Sequence, residues 1–410
     1  MSWQKEVDEI NKRRHLARAL GGPEAIARHH ELGKLTLRER IAALLDEDSF
    51  REQGAMAGAA TLDDEGEVAN FDPANYILGA GAINGRTVVV GGEDFTLKGG
   101  SPNAAGYRKS VFAEYLAVDM RAPLVRLMEG GGGSVAGGGG DPKQPRTVGE
   151  PPHVPPRLQI IAEAMSKVPI ASAALGPVAG LPAARLVASH FRVMTQETAQ
   201  VLIAGPAVVE RALGVSLSKQ ELGGPAVHLL SGVVDNVAVD EYDALRQIRT
   251  FLSYFPQHAW QSAPRTPCSD PVDRCEQALL SLVPRDRRAT FDMHELIEGV
   301  VDRDSFFEYS ASYGPSLITG YARLNGQSVG ILANDCRFFA GAMSADGAEK
   351  TRRFIETCDS FHIPIVTFID EPGFMIGPEA ERAGTIRYGM ATCLAAAASQ
   401  VPWASVMVHK

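Results

Sequence analysis

Read for its apolar positions, the chain alternates between helical spacing and short β-branched runs. Residues 1–32 are charged and amphipathic, and Gly21-Gly22-Pro23 splits them into two helices. Thr36 followed by Glu39 is a capping box, which predicts a helix running to Leu45 and then a turn over residues 46–50. Two strands are predicted within residues 76–92, on either side of the hairpin dipeptide Asn84-Gly85. Val111, Tyr115, Leu116 and Met120 have helical spacing within residues 105–120, and Pro123 ends that region. Residues 124–128 then read as a buried strand that opens into a loop, Gly130-Gly131-Gly132-Gly133. Strand, helix, strand in that order implies a mixed or parallel sheet with a right-handed crossover. The alternation continues with a helix over 157–167, a strand over 168–175, a tight glycine turn over 176–181 and a helix over 183–189. Residues 137–156, rich in Gly and Pro, read as a lid, an insertion or a plain surface loop. A helix over 240–254 ends at Pro256.

Much of this pattern occurs twice. At an offset of 241, Asn84-Gly85 falls on Asn325-Gly326, Asp94 on Asp335, Gly100 on Gly341, Lys109 on Lys350, Pro123 on Pro364 and Gly132 on Gly373. Upstream, Glu39, Asp46, Asp48-Ser49-Phe50 and Glu52 fall on Glu295, Asp302, Asp304-Ser305-Phe306 and Glu308. So long a period reads as two homologous domains in tandem rather than a solenoid. The expected division is a first domain over residues 1–256, a linker over 257–290 with four prolines, and a second domain over 291–410. The counterpart of the 176–181 turn would run past residue 410, so the second domain is expected to be incomplete.

Composition changes this picture little. The 410 residues are 45% hydrophobic and 22% charged, as in an ordinary globular protein. A net charge of −9 argues against nucleic acid as a partner. The five cysteines form no CxxC pair and read as reduced, mostly buried thiols, with no zinc site. The start lacks the apolar core of a signal peptide, and the most apolar late stretch, 390–398, is too short to cross a bilayer. The expectation is a cytoplasmic protein with no membrane or metal.

The candidate chemistry lies in backbone. Two glycine turns, each leaving a strand, can converge and aim amides at a developing oxyanion such as a thioester enolate. The candidates are Gly131 and Gly132 on one turn and Gly180 and Leu181 on the other. Pro182 has no N–H to give. Such turns also serve as plain connections, and both readings stand at this point. Nucleophile-elbow, zinc-protease and P-loop motifs are absent. Glu129 and Asp370, at matching loop entries, are expected to bond loop amides rather than act as acid or base. Lys34, Lys98, Arg108 and Lys109 are expected on the solvated surface, with phosphate contact as the alternative. The scattered histidines read as surface or satisfied core residues.

With these residues in place, the chain resembles the carboxyltransferase (β) subunits of biotin-dependent acyl-CoA carboxylases, of the propionyl-CoA, methylcrotonoyl-CoA and acetyl-CoA type. The resemblance covers nearly the whole chain. It rests on Gly33-Lys34-Leu35-Thr36, Arg38-Glu39-Arg40, Asp94-Phe95-Thr96, Gly99-Gly100-Ser101, Gly205-Pro206, Glu221-Leu222-Gly223-Gly224, Ser231-Gly232-Val233, Leu252-Ser253-Tyr254-Phe255-Pro256 and Asp370-Glu371-Pro372-Gly373-Phe374. It implies an α/β fold of two tandem crotonase-like domains of the ClpP/crotonase superfamily. It also implies transfer of a carboxyl group from carboxybiotin to the α-carbon of a short or branched acyl-CoA. The first amide pair falls on Gly180-Leu181, and the second would lie just past Lys410. Gly99, Gly100, Gly373 and Phe374 are the implied binding positions for the CoA thioester and biotin. Biotin would arrive on a partner carrier, because no Ala-Met-Lys-Met motif or ATP-binding module is present; a biotin carboxylase or carrier subunit is therefore expected. So is a homo-oligomer built from dimers, possibly a hexamer, with the site at the dimer interface.

The sequence departs from the family at Glu129-Gly130-Gly131-Gly132-Gly133-Ser134, where Asp-Ser-Gly-Gly-Ala-Arg is usual, and at His190, where an aspartate is usual. Gly214-Val215 stands where the family has Gly-Glu. Two rivals follow: a decarboxylase or transcarboxylase subunit of the same fold, and a non-catalytic CoA-binding assembly subunit.

Overall fold

The computed structural model describes residues 2–132 and 156–409. The chain forms two compact units, one of Met1–Val227 with Val237–Arg249, the other of His228–Asn236 with Thr250–Lys410.

The first unit opens with α1 (Gln4–Arg18) and α2 (Pro23–Glu31), separated at the glycine pair, and α3 (Leu37–Leu44) under the expected Thr36–Glu39 capping box. There follow β1 (Arg51–Glu52), β2 (Gly58–Leu62), β3 (Val68–Pro73), β4 (Tyr76–Ile83), β5 (Arg86–Glu93), α4 (Ala104–Met120) and β6 (Leu124–Gly131). Next come α5 (Arg157–Lys167), β7 (Ile170–Ala179), α6 (Leu181–Val187), β8 (Phe191–Thr195) and β9 (Gln200–Leu202). Three short helices, α7 (Pro206–Leu213), α8 (Lys219–Gly223) and α9 (Pro225–His228), then β10 (Asn236–Ala238) and α10 (Glu241–Ser253), complete the series. The main sheet runs β1-β4-β5-β6-β7-β8-β10, with β9 beside β7. β4 and β5 are antiparallel, whereas β5, β6, β7 and β8 pair in parallel. Helix α4 packs on this sheet, burying Ala113 and Ala117 with Tyr76, Leu78, Val89, Leu124 and Ile170.

The second unit repeats the plan. It contains α11 (Leu279–Leu282), α12 (Met293–Val300), β11 (Phe307–Glu308), β12 (Leu317–Leu324), β13 (Gln327–Asn334), α13 (Ala345–Ser360), β14 (Ile365–Ile369), α14 (Pro378–Ala383), α15 (Thr385–Ala398) and β15 (Trp403–Met407). Its sheet runs β11-β12-β13-β14-β15. Its core joins Met293 and Ile297 to Ile318, Val329, Ile331 and Phe368.

The repeat extends to single hydrogen bonds. Both hairpin turns have positive φ at Asn and Gly, 51° and 74° at Asn84-Gly85 and 48° and 75° at Asn325-Gly326. Asp46 accepts from the Asn84 and Gly85 amides at 3.0 and 2.8 Å, and Asp302 accepts from Asn325 and Gly326 at 2.8 and 2.7 Å. Ser49 and Ser305 each take a strand amide, of Ala82 and Arg323. The offset falls from 256 upstream to 241 downstream, so the first copy carries about 15 extra residues there, where the separate β2–β3 hairpin lies. One pair is traded: Arg38 bonds Glu52 at 2.9 Å, and at the matching positions His294 bonds Glu308 at 2.9 Å.

Two boundaries differ from expectation. Residues 176–179 are strand, not turn, because Pro177, Val178 and Ala179 pair with β9. The reversal is confined to Gly180, and α6 therefore starts at Leu181 instead of 183. Likewise β6 keeps Gly130 and Gly131 in the sheet, paired with Val178 and Ala179.

A close backbone approach fixes each strand end. Gly100 (φ 69°) and Gly341 (φ 82°) lie so near the carbonyl oxygens of Glu129 and Asp370 that a Cβ on either would overlap them. Ala340 beside it also has positive φ, 54°. We expect Gly341→Ala to cost about 2–4 kcal/mol, from left-handed strain and the carbonyl clash, and Ala340→Gly to be neutral or stabilising by up to about 1 kcal/mol. Urea unfolding of both variants checks this; equal stability of Gly341→Ala and the parent would refute the contact.

Candidate active site

In the first unit, glycines from three loops meet. Gly100 abuts the backbone at Glu129 and Gly130, while Gly99 is exposed beside it. One step along β6, a Cβ on Gly132 would stand 2.9 Å from the Leu181 nitrogen, and one on Gly180 would stand 3.5 Å from the Gly132 Cα. Thus Gly99, Gly100, Gly131, Gly132, Gly180 and Leu181 form a continuous backbone ridge, with Gly132 and Leu181 exposed. Gly133 and Ser134 lie outside the described residues, as does most of the 137–156 stretch and with it His153.

The two residues of the Gly180-Leu181 pair differ. Gly180 has φ 67° and ψ −129°, and its N–H donates to the Leu202 carbonyl at 3.0 Å. That amide is engaged inside the fold. Gly180 supplies the reversal, and Leu181, the first residue of α6, has an N–H with no acceptor within the helix. In the second unit, Gly373, the counterpart of Gly132, and Phe374 follow β14. Gly373 (φ 123°) accepts from the Met343 amide at 3.0 Å, and the half-exposed Phe374 ring lies over Gly389, where no Cβ would fit.

Beneath the ridge the charges are buried and paired. The Glu129 carboxylate does not bond loop amides, as the sequence suggested. It is fully buried, paired with Lys34 and with Arg40 at 2.7 Å, and Arg40 also grips Glu241 at 2.8 and 2.6 Å. Gly176 is required there, because a Cβ would overlap that carboxylate. Lys34 is therefore not a solvated residue; its ammonium also lies 4.7 Å from the centre of the Phe95 ring. Lys109 is buried too, donating to the Gly54 carbonyl, and burial pulls it down to about 8. Its counterpart Lys350 donates to the Ser310 carbonyl, and burial pulls it down to about 7. Lys98 and Arg108 are exposed. Of the cysteines, Cys336 and Cys358 are buried but Cys275 and Cys393 are exposed. No helix among the described residues is long and apolar enough to cross a membrane.

A second buried network went unnoticed in the sequence. Arg126 of β6 and Arg185 of α6 share the Glu114 carboxylate of α4, at 3.1 and 3.4 Å, and Arg185 also reaches Glu93 at 2.9 Å. The signal available was a lone arginine inside the apolar run of β6. Nearby His190 is buried, accepting at Nδ1 from the Ile170 amide at 3.0 Å, with Nε2 facing the Met165 carbonyl at 3.1 Å. Burial pushes its pKa down to about 3.

The folded ring is thus neutral, and the unfolded chain protonates first, near 6.5. The contribution of His190 to stability is complete above that value and falls with acidification toward 3, by about 1.4 kcal/mol per pH unit. Urea unfolding at pH near 7.5 and 5.5 should show a larger acid loss in the parent than in His190→Gln. Identical losses would remove His190 as the cause.

Residues 28–410 match the carboxyl transferase domain. The chain is 34% identical to the carboxyltransferase subunit of propionyl-CoA carboxylase from Haloferax mediterranei, covering 100% of this chain and 78% of that protein. It is 32% identical to methylmalonyl-CoA decarboxylase subunit alpha of Veillonella parvula, over 99% of this chain and 78% of the other. Among solved structures, the hexameric transcarboxylase 12S with methylmalonyl-coenzyme A bound superposes with a TM-score of 0.87 at 29% identity, over 99% of this chain and 77% of that one. By sequence along nearly its whole length and by fold, the chain belongs to the carboxyl transferase domain family and is a carboxyltransferase.

Proposed function

We propose that this carboxyltransferase moves a carboxyl group from carboxybiotin to the α-carbon of a short or branched acyl-CoA. The observation that carries the reading is the meeting of Gly132 with the Gly180-Leu181 turn. The thioester carbonyl would lie on the glycine ridge, where the absence of side chains permits close backbone approach. The α-proton would pass to the ureido group that carboxybiotin leaves on giving up its carboxyl, and the Leu181 N–H, with the backbone at Gly131-Gly132, stabilises the oxygen of the enolate that forms. Prealigned amide donors in a partly dry site require little reorganisation as charge develops. Carboxybiotin, when bound, supplies the carboxyl group. In the second unit, the apolar Phe374 ring beside Gly373 suits the compact fused ring system of biotin. Biotin would arrive on a separate carrier or biotin carboxylase subunit, and the working enzyme would be a homo-oligomer of dimers in the cytoplasm.

The relatives' names bear on the acyl group and on direction. Propionyl-CoA carboxylase favours a three-carbon acyl chain, with carboxylation as the main reading. The similarity to a methylmalonyl-CoA decarboxylase subunit and to a transcarboxylase supports the reverse transfer as the second reading.

Biotin-dependent loss of CO2 from methylmalonyl-CoA, compared with malonyl-CoA, tests both readings on the full-length protein. Turnover is expected with methylmalonyl-CoA, and Gly132→Val, which crowds the Leu181 amide, should lower kcat by about 100-fold. Thioester binding without biotin-dependent release would establish the non-catalytic role instead.

A further inference from the structure

The amide at Leu181 belongs to a helix of seven residues, α6, which buries Pro182, Ala183 and Leu186 against the sheet side of the unit. Beyond that apolar packing, charge holds it. Arg126 donates through one guanidinium nitrogen to the carbonyls of Arg185 at 2.9 Å and Ala188 at 2.8 Å, at the C-terminal end of α6. That nitrogen also reaches the Ser189 hydroxyl at 3.3 Å, which is 2.7 Å from the Ser172 hydroxyl of β7. From within α6, Arg185 extends to Glu93 at the end of β5, to Glu114 on α4, and to the Tyr76 hydroxyl of β4 at 3.3 Å. All four charged side chains are at least 93% shielded from solvent. The helix is tied at its end and its middle to β4, β5, β6 and α4, while the Gly180–Leu202 hydrogen bond ties its start to β9.

Two arginines and two glutamates in an apolar interior are poor value as stability alone, since hydrophobic residues of the same volume commonly serve as well. Their distinctive property is geometric, because the planar forks admit few arrangements. We propose that Arg126, Arg185 and Glu114 are positioning residues for carboxyl transfer. They fix α6 so that the Leu181 N–H meets the enolate oxygen as charge develops, and none of them touches the substrate. This inference rests on the reading of the ridge as the thioester site, and it adds a second tier that controls that amide from below. Misplacing a prealigned donor by about 1 Å costs on the order of 100-fold in rate.

The test is biotin-dependent decarboxylation of methylmalonyl-CoA by the full-length protein and its Arg185→Met, Arg185→Lys and Glu114→Gln variants. Rates are expressed per folded molecule, with melting temperature measured in parallel. Arg185→Met and Glu114→Gln should lower kcat by about 100-fold and change KM by less than about threefold. Arg185→Lys, which keeps the charge and loses the fork, should fall between Met and the parent. Hydrogen exchange of α6 peptides should quicken in the order of the kcat losses. A purely structural network would lower the melting temperature and leave kcat per folded molecule within twofold of the parent, and that result overturns the proposal. If Arg185→Met does not fold, the kcat of Arg185→Lys decides by the same criterion. A parent protein that binds the thioester but shows no biotin-dependent turnover removes the functional reading and this inference together. An active parent with active variants removes this inference alone.

Discussion

The architecture depends on backbone approaching backbone without side chains between. In each unit a glycine in the left-handed region sits under a carbonyl near the end of the second parallel strand, Gly100 under Glu129 and Gly341 under Asp370. That contact brings the loop after one strand against the end of the next. In the first unit it continues through Gly130 and Gly132 to Gly180. Large stretches of sheet and helix serve to bring these few atoms together, and a single methyl at the contact would separate them.

A ridge made of amides has little means of holding itself in place, and this explains the burial of charge beneath it. Glu129, one residue before the glycines, is gripped by Lys34 and Arg40; Arg126, three residues earlier on β6, grips α6. One strand therefore carries two ionic anchors, each reaching elements distant in the chain. Removing one partner of such a group leaves its counterpart charged and dry, at a cost of about 3–5 kcal/mol.

What could be read from the sequence was local or repeated. The Thr36–Glu39 cap and the Asn84-Gly85 turn each involve residues within a few positions, and both formed as expected. The duplication showed because common physics kept the same turn residues in both copies. The end of β7 was misread because Gly176-Pro177 has turn chemistry, yet pairing with β9 and the room Gly176 leaves for Glu129 keep it extended. The ion pairs were not legible at all. Lys34 and Glu129 are 95 positions apart and Arg40 and Glu241 are 201 apart, and no local pattern announces such a match. For the same reason, the glycines of the ridge could be named in advance, but not the engagement of the Gly180 amide by Leu202.

Two copies of one strand–helix–strand plan on a single chain create a kinetic hazard during folding, since a strand from either copy could enter the other's sheet. The Glu129 anchor discourages this. The positions in the second unit that correspond to Lys34 and Arg40 are Thr290 and Leu296. Were β6 to enter that sheet, Glu129 would replace the shorter Asp370, which is buried at the matching position, and would meet a hydroxyl and an aliphatic side chain where the first unit supplies two cations. A carboxylate one methylene longer, without its two cations, makes the exchanged pairing unfavourable. The ion pair that supports the glycine ridge in the finished fold thus also distinguishes the two halves while the chain is still choosing its partners.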